Sequence, residues 1–118
     1  MKKLPGLTVC IALIVVLLFA CKKDSKNDSS DTVDCSTITT TFSGTVSPLI
    51  STSCAKSGCH ATGSTNGPGA LTNYTQIFNS STRIRAVVAS GQMPQDATFS
   101  AQQKAIITCW IDAGAANN

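Results

Sequence analysis

The sequence predicts an all-α fold of three to four short helices, and three observations carry that prediction. Ser100-Ala101-Gln102-Gln103 has the spacing of a helix capping box, and Gly114 ends the apolar stripe that comes after it. Ser47-Pro48 reads as a helix start, and Ile84, Val87 and Val88 share one face at helical spacing. No segment makes a convincing sheet strand. The β-branched run Ser36 to Thr41 is the nearest to one, and it is left unassigned.

Taken in chain order, the first segment is excluded from the fold. Lys2 and Lys3 precede an apolar run from Leu7 to Ala20, which marks residues 1–20 as an export signal. At roughly 14 residues the run is short for a bilayer core of about 30 Å, and no later stretch is more apolar, so no transmembrane domain is expected. Leu18-Phe19-Ala20-Cys21 resembles the lipobox of bacterial lipoproteins, although Phe19 is bulkier than the pattern prefers. That resemblance implies a lipid on Cys21 and attachment to a membrane: an outer-membrane lipoprotein facing the periplasm or the cell surface. The alternative is an ordinary cleaved signal that leaves Cys21 free.

Residues 21–34 are mostly Lys, Asp, Ser and Asn and bury too little apolar surface to offset the entropy of ordering, so they read as a flexible tether. Lys22-Lys23-Asp24 also resembles the charged segments that route some lipoproteins to the cell surface, a composition any solvated linker shares. Loss of Lys2 and Lys3 takes nine basic residues to seven against six acidic ones, and the net charge from +3 to +1. Arg83 and Arg85 are then the one close basic pair of the globular part, and a nucleic-acid partner is excluded.

Residues 35–118 form the folded domain. About 84 residues with one Trp and one Tyr make a small core that needs a staple or a cofactor. Its first helix is expected to start at Ser47-Pro48, as cap and first-turn proline, and to run toward Cys54. Gly58 and the stretch Gly63 to Gly69 are loop. Thr72 or Asn73 caps a short helix over Tyr74 to Asn79, and another covers Thr82 to Ala89. The last carries Ile106, Ile107, Trp110 and Ile111 as its apolar stripe.

The chemistry concentrates in Cys54-Ala55-Lys56-Ser57-Gly58-Cys59-His60, a cysteine pair whose second member is followed at once by histidine. This resembles the haem attachment site of c-type cytochromes, with four residues between the cysteines where the familiar spacing has two. The resemblance implies one covalent haem c: Cys54 and Cys59 form thioethers to its vinyl groups, and His60 presents imidazole to the iron. Gly91-Gln92-Met93-Pro94, where Met93 follows His60 by 33 residues, resembles the segment that carries the second axial ligand in small cytochromes c. It makes Met93 the distal ligand, and a thioether there raises the reduction potential.

Similarity to small mono-haem cytochrome c domains covers about Phe42 to Ala113, with the pieces in family order. It implies an all-helical bundle wrapped around the haem, its first and last helices crossing. Leu71, Ile84, Val88 and Trp110 are candidates to wall the haem. Tyr74, Arg83 and Arg85 are candidate partners of the propionates, with surface solvation the other reading of each. Once the signal, the lipid and the haem have taken Cys10, Cys21, Cys54 and Cys59, Cys35 and Cys109 remain as a pair that an oxidising compartment would join, the alternative being two free thiols.

With both axial positions filled, the implied function is electron transfer between redox partner proteins and not an enzyme's turnover. Two other readings stay open. A five-coordinate haem, if Met93 did not reach iron, would suit gas sensing or peroxidase-like chemistry. A haem-free lipoprotein module would carry two disulfides, for instance Cys54–Cys59 and Cys35–Cys109, one of three possible connectivities, and a zinc site of Cys54, Cys59 and His60 lacks a fourth ligand at a usual spacing.

Overall fold

A computed structural model of the chain describes residues 34–118. The expected signal segment, Cys21 and the tether as far as residue 33 lie outside the described residues. Among the described residues the regular structure is helical, with no strand. Asp34 caps a single 3-10 turn, Cys35–Thr37, its carboxylate accepting from the Ser36 N–H at 3.0 Å. The segment left unassigned in the sequence therefore begins as a turn, and Ile38 and Thr41 beyond it are extended.

The α-helix begins at Ser47, within a residue of where Ser47-Pro48 suggests, and a π-helical turn leads into it. Thr41 caps that turn, the hydroxyl accepting from the Gly44 N–H at 3.2 Å, and no side chain caps the chain at Ser47. Proline is the physical reason. Pro48 has no N–H to give the Gly44 carbonyl, and its ring crowds that carbonyl, so the turn before it opens. Phe42–Val46 is accordingly π-helical, with Ser47 N–H donating five residues back to Phe42 O and Val46 N–H to Thr41 O. The α-helical part, α1, is Ser47–Ser53, and Cys54 caps its C-terminus.

The remaining helices obey their local signals. Asn73 Oδ1 accepts from Gln76 N–H at 3.1 Å to start α2, Tyr74–Asn79, while Gln76 Oε1 takes the Thr72 N–H at 2.9 Å. Helix α3, Ser81–Ala89, buries Ile84 and Val88, two positions of the expected face. Helix α4, Ala101–Asp112, has the complete capping box between Ser100 and Gln103. At its other end Gly114 takes φ +100°, its N–H bonding Ile111 O, and Ala115 N–H bonds Trp110 O, the two bonds of a Schellman motif.

Helix α4 packs on α3 and on the Phe42–Val46 turn. Trp110, 2% exposed, sits with Phe42 and Tyr74, ring centroids 5.6 and 6.5 Å away, and its indole N–H donates to Ala116 O at 2.9 Å. Arg85 of α3 forks onto the Asp112 carboxylate of α4, Nη2 to Oδ2 at 2.8 Å. Asn118 closes the chain on the first helix, accepting the Phe42 and Ser43 N–H groups at 2.8 Å. A Cys35–Cys109 disulfide joins the start of the domain to α4 across 74 residues of sequence. Closing a loop of that length removes about 4 kcal/mol of denatured-state freedom in the chain-entropy picture.

Candidate functional site

A cavity of about 540 Å³ opens between the end of α1, the face of α3 and the two glycine-bearing loops, and Cys54, Cys59, His60 and Met93 all line it. Its size lies within the range of about 300–1,000 Å³ of pockets that hold a substantial organic ligand. Ile50, Leu71, Ile84 and Val88, each buried, supply apolar wall. Of the four wall candidates read from the sequence, Trp110 alone does not line the cavity. It is held in the aromatic core by Phe42 and Tyr74 instead.

The loop from Cys54 to His60 doubles back through its own backbone: Cys59 N–H donates to Lys56 O and His60 N–H to Cys54 O, both at 3.0 Å. Gly58, at φ +79°, makes the reversal without side-chain strain. Asn66 then clamps it from outside, donating to Gly58 O at 2.9 Å and Cys59 O at 3.2 Å, and the Ser64 hydroxyl donates to the same Cys59 carbonyl. The two thiols are free. Burial pushes the Cys54 thiol up to about 11, with the nearby Lys56 charge opposing.

His60 is 8% exposed. Its Nδ1 lies 2.9 Å from Gly69 O. A carbonyl can only accept, so Nδ1 is the donor in this bond and Nε2 is the nitrogen left for other partners. No protein group hydrogen-bonds Nε2, and His60 lines the cavity. A backbone acceptor fixing one imidazole nitrogen is the arrangement that orients histidines ligating a metal through the other.

Met93 reaches the cavity from the end of α3. Gly91 takes φ +78° and bonds Val88 O, and the Met93 N–H takes the next orphan carbonyl, Val87 O, at 3.0 Å. The helix terminus thereby fixes the methionine backbone. Cys54, Cys59 and His60 share a wall without converging on a point: among the described residues no three of His, Cys, Asp and Glu are grouped to hold an ion. That arrangement disfavours the zinc reading.

Of the three candidate propionate partners, Arg83 lines the cavity. Tyr74 and Arg85 are engaged elsewhere, the phenol donating to Ala115 O at 3.0 Å and the guanidinium bound to Asp112. Sequence reasoning missed Asn66 and the ion pair between Lys56 and Asp96. A basic residue inside the long cysteine interval and an acid three residues after Met93 were the available signals for the pair, and neither is local. Comparison with family models, curated proteins and solved structures finds no match to this chain.

Proposed function

We propose that the cavity receives one covalently bound haem, with Cys54 and Cys59 as its thioether anchors and His60 and Met93 as axial ligands, and that the protein transfers electrons. One observation carries the reading above all. The chain's single histidine and its one methionine besides Met1 line the same cavity, with the histidine's Nδ1 tied to Gly69 O and no protein group bonded to its Nε2. The residues fit the group: two free thiols, a free imidazole nitrogen, a thioether and apolar walls. Haem, when bound, supplies a one-electron couple between ferric and ferrous iron.

The chain contributes ligation, orientation and dry packing. Gly69 O holds the imidazole plane and adds electron density to it. The Val87 carbonyl and Gly91 set the Met93 backbone. Ile50, Leu71, Ile84 and Val88 exclude water from the interior of the site. Were His60 and Met93 both to hold the iron, no open place would remain for substrate, and the partners would be other redox proteins. A lipid on Cys21 holds the domain at a membrane, at the outer membrane or the cell surface.

The test is the intact mass and absorption spectrum of the protein made in cells with a cytochrome c maturation system. The expected mass increases by one haem with both thiols consumed, and the oxidised protein has a weak near-infrared sulfur-to-iron band. A mass without covalent haem overturns the reading and leaves the disulfide-stapled module. Covalent haem that lacks the band and binds carbon monoxide readily replaces electron transfer with the five-coordinate alternative. Labelling with a fatty acid, abolished by Cys21→Ser, tests the anchor.

A further inference from the structure

Lys56 lies inside the interval between Cys54 and Cys59, and its ammonium group bonds the carboxylate of Asp96, 40 residues away in sequence. Asp96 follows Met93 by three residues and lines the same cavity. The pair therefore joins the loop that bears the two thiols to the segment that bears the methionine. Among the described residues, two links tie residues 92–96 by hydrogen bonding to the rest of the domain: the Met93 N–H to Val87 O and the Lys56–Asp96 pair. The first lies at the α3 end of the segment and the second at its far end. Both ends are thus fixed, with Met93 between them.

We propose that the Lys56–Asp96 pair is a latch that holds the Met93 segment over the cavity against small nitrogen or sulfur donors competing for the methionine's place on iron. The inference rests on the haem reading. For a competing donor to bind, the Met93 segment must swing away, and the pair must break as it does. Lys56 and Asp96 are positioning residues, acting through the segment and not on the haem. Their side chains are 37% and 53% exposed, so the latch is solvent-screened and modest.

Imidazole is the probe, titrated into the oxidised, haem-bearing protein. Asp96→Asn and Lys56→Gln are each expected to raise imidazole affinity, by up to about fivefold, the range that an exposed ion pair supports. The charge reversal Lys56→Asp with Asp96→Lys is expected to restore the parental affinity, and about 1 M salt to erase the difference between parent and single variants. Amide hydrogen exchange at Met93, whose N–H bonds Val87 O, supplies a readout independent of the iron and is expected to quicken in the single variants.

Unchanged affinity and unchanged exchange in haem-bearing single variants overturn the latch while leaving the haem reading intact. Loss of restoration in the reversed pair overturns it as well. A protein whose mass shows no haem overturns the haem reading, and the proposal with it, whatever the exchange rates.

Discussion

The imidazole Nδ1 of His60 and the carbonyl oxygen of Gly69, nine residues apart, lie 2.9 Å from each other, so that one ring nitrogen is engaged by backbone. Gly69 can make this bond because its φ of +86° turns the carbonyl inward, and a Cβ there would meet Ser64 O at 3.3 Å. Gly69→Ala is expected to cost about 1–2 kcal/mol from the left-handed backbone alone. At Gly67, φ +52°, a Cβ meets only the His60 ring edge at an ordinary 3.7 Å. Urea denaturation should rank Gly69→Ala as the more damaging of the two, and equal losses would refute the assignment.

The disulfide predicts a stability effect separable from the cavity. Replacing Cys35 and Cys109 together with serine is expected to lower unfolding free energy by about 4 kcal/mol, a large share of the roughly 5–15 kcal/mol typical of a domain. Denaturation with and without reductant measures it. The parent should lose stability on reduction, and the double variant should not respond.

The bond of Arg85 to Asp112 holds that carboxyl below the usual carboxylate range. A depressed acid contributes stability that is present above its unfolded value of about 3.9 and lost as pH falls through the lower folded value. Asp112→Asn should thus be less stable than the parent between about pH 5 and pH 7, with the gap closing as the pH drops below about 4. Both groups are nearly half exposed, so added salt should shrink the difference. Melting curves across pH check the direction.

Burial predicts a protonated Cys54 at neutral pH, its thiol having been pushed up to about 11. In the haem-free chain, alkylation of Cys54 by iodoacetamide should be slow at about pH 8 and accelerate toward about pH 11, because only the thiolate attacks. The folded state correspondingly loses stability as pH rises from the unfolded value of about 8.5 through the folded one. Mass mapping of the alkylated peptide measures the rate, and fast labelling at the lower pH would contradict the partly buried placement.

Tyr74→Phe removes one hydrogen bond, to Ala115 O, and is expected to cost about 0.5–1.5 kcal/mol without altering the site. Arg83→Ala, by contrast, removes a positive charge from the cavity lining and should shift the reduction potential of the haem-bearing protein downward, since a nearby cation favours the reduced iron. Arg85→Ala should leave the potential in place. Voltammetry of the three variants separates the roles that sequence left undivided.

Much of this molecule was legible from local chemistry. Asn73, Ser100, Gly91 and Gly114 each act within a few residues of themselves, and the helices they bound were expected from spacing alone. Cys54, Cys59, His60 and Met93 were named from two short motifs, and the fold brings them to one cavity. The cysteine tally likewise anticipated the Cys35–Cys109 bridge. The features that escaped were non-local or cooperative. Pro48 marked a helix start, but its effect reached backward through a widened turn to Thr41. The stripe on α4 showed that Trp110 is buried without showing against which neighbour. Asp96 and Asp112 had no motif because their partners lie 40 and 27 residues away.

The Cys35–Cys109 bridge also decides how the domain bears a mechanical load. Any pull arriving through the residues before Cys35 passes at once into the buried Cys109 side of helix α4. The segment from Ser36 to Val46, whose N–H groups hold the C-terminal Asn118, is thereby spared the tension and cannot be peeled from its end. A domain drawn by its leading end would then yield only by dislodging the helix that carries Trp110, and the shape of the cavity would survive tugging that unzips an unbridged chain.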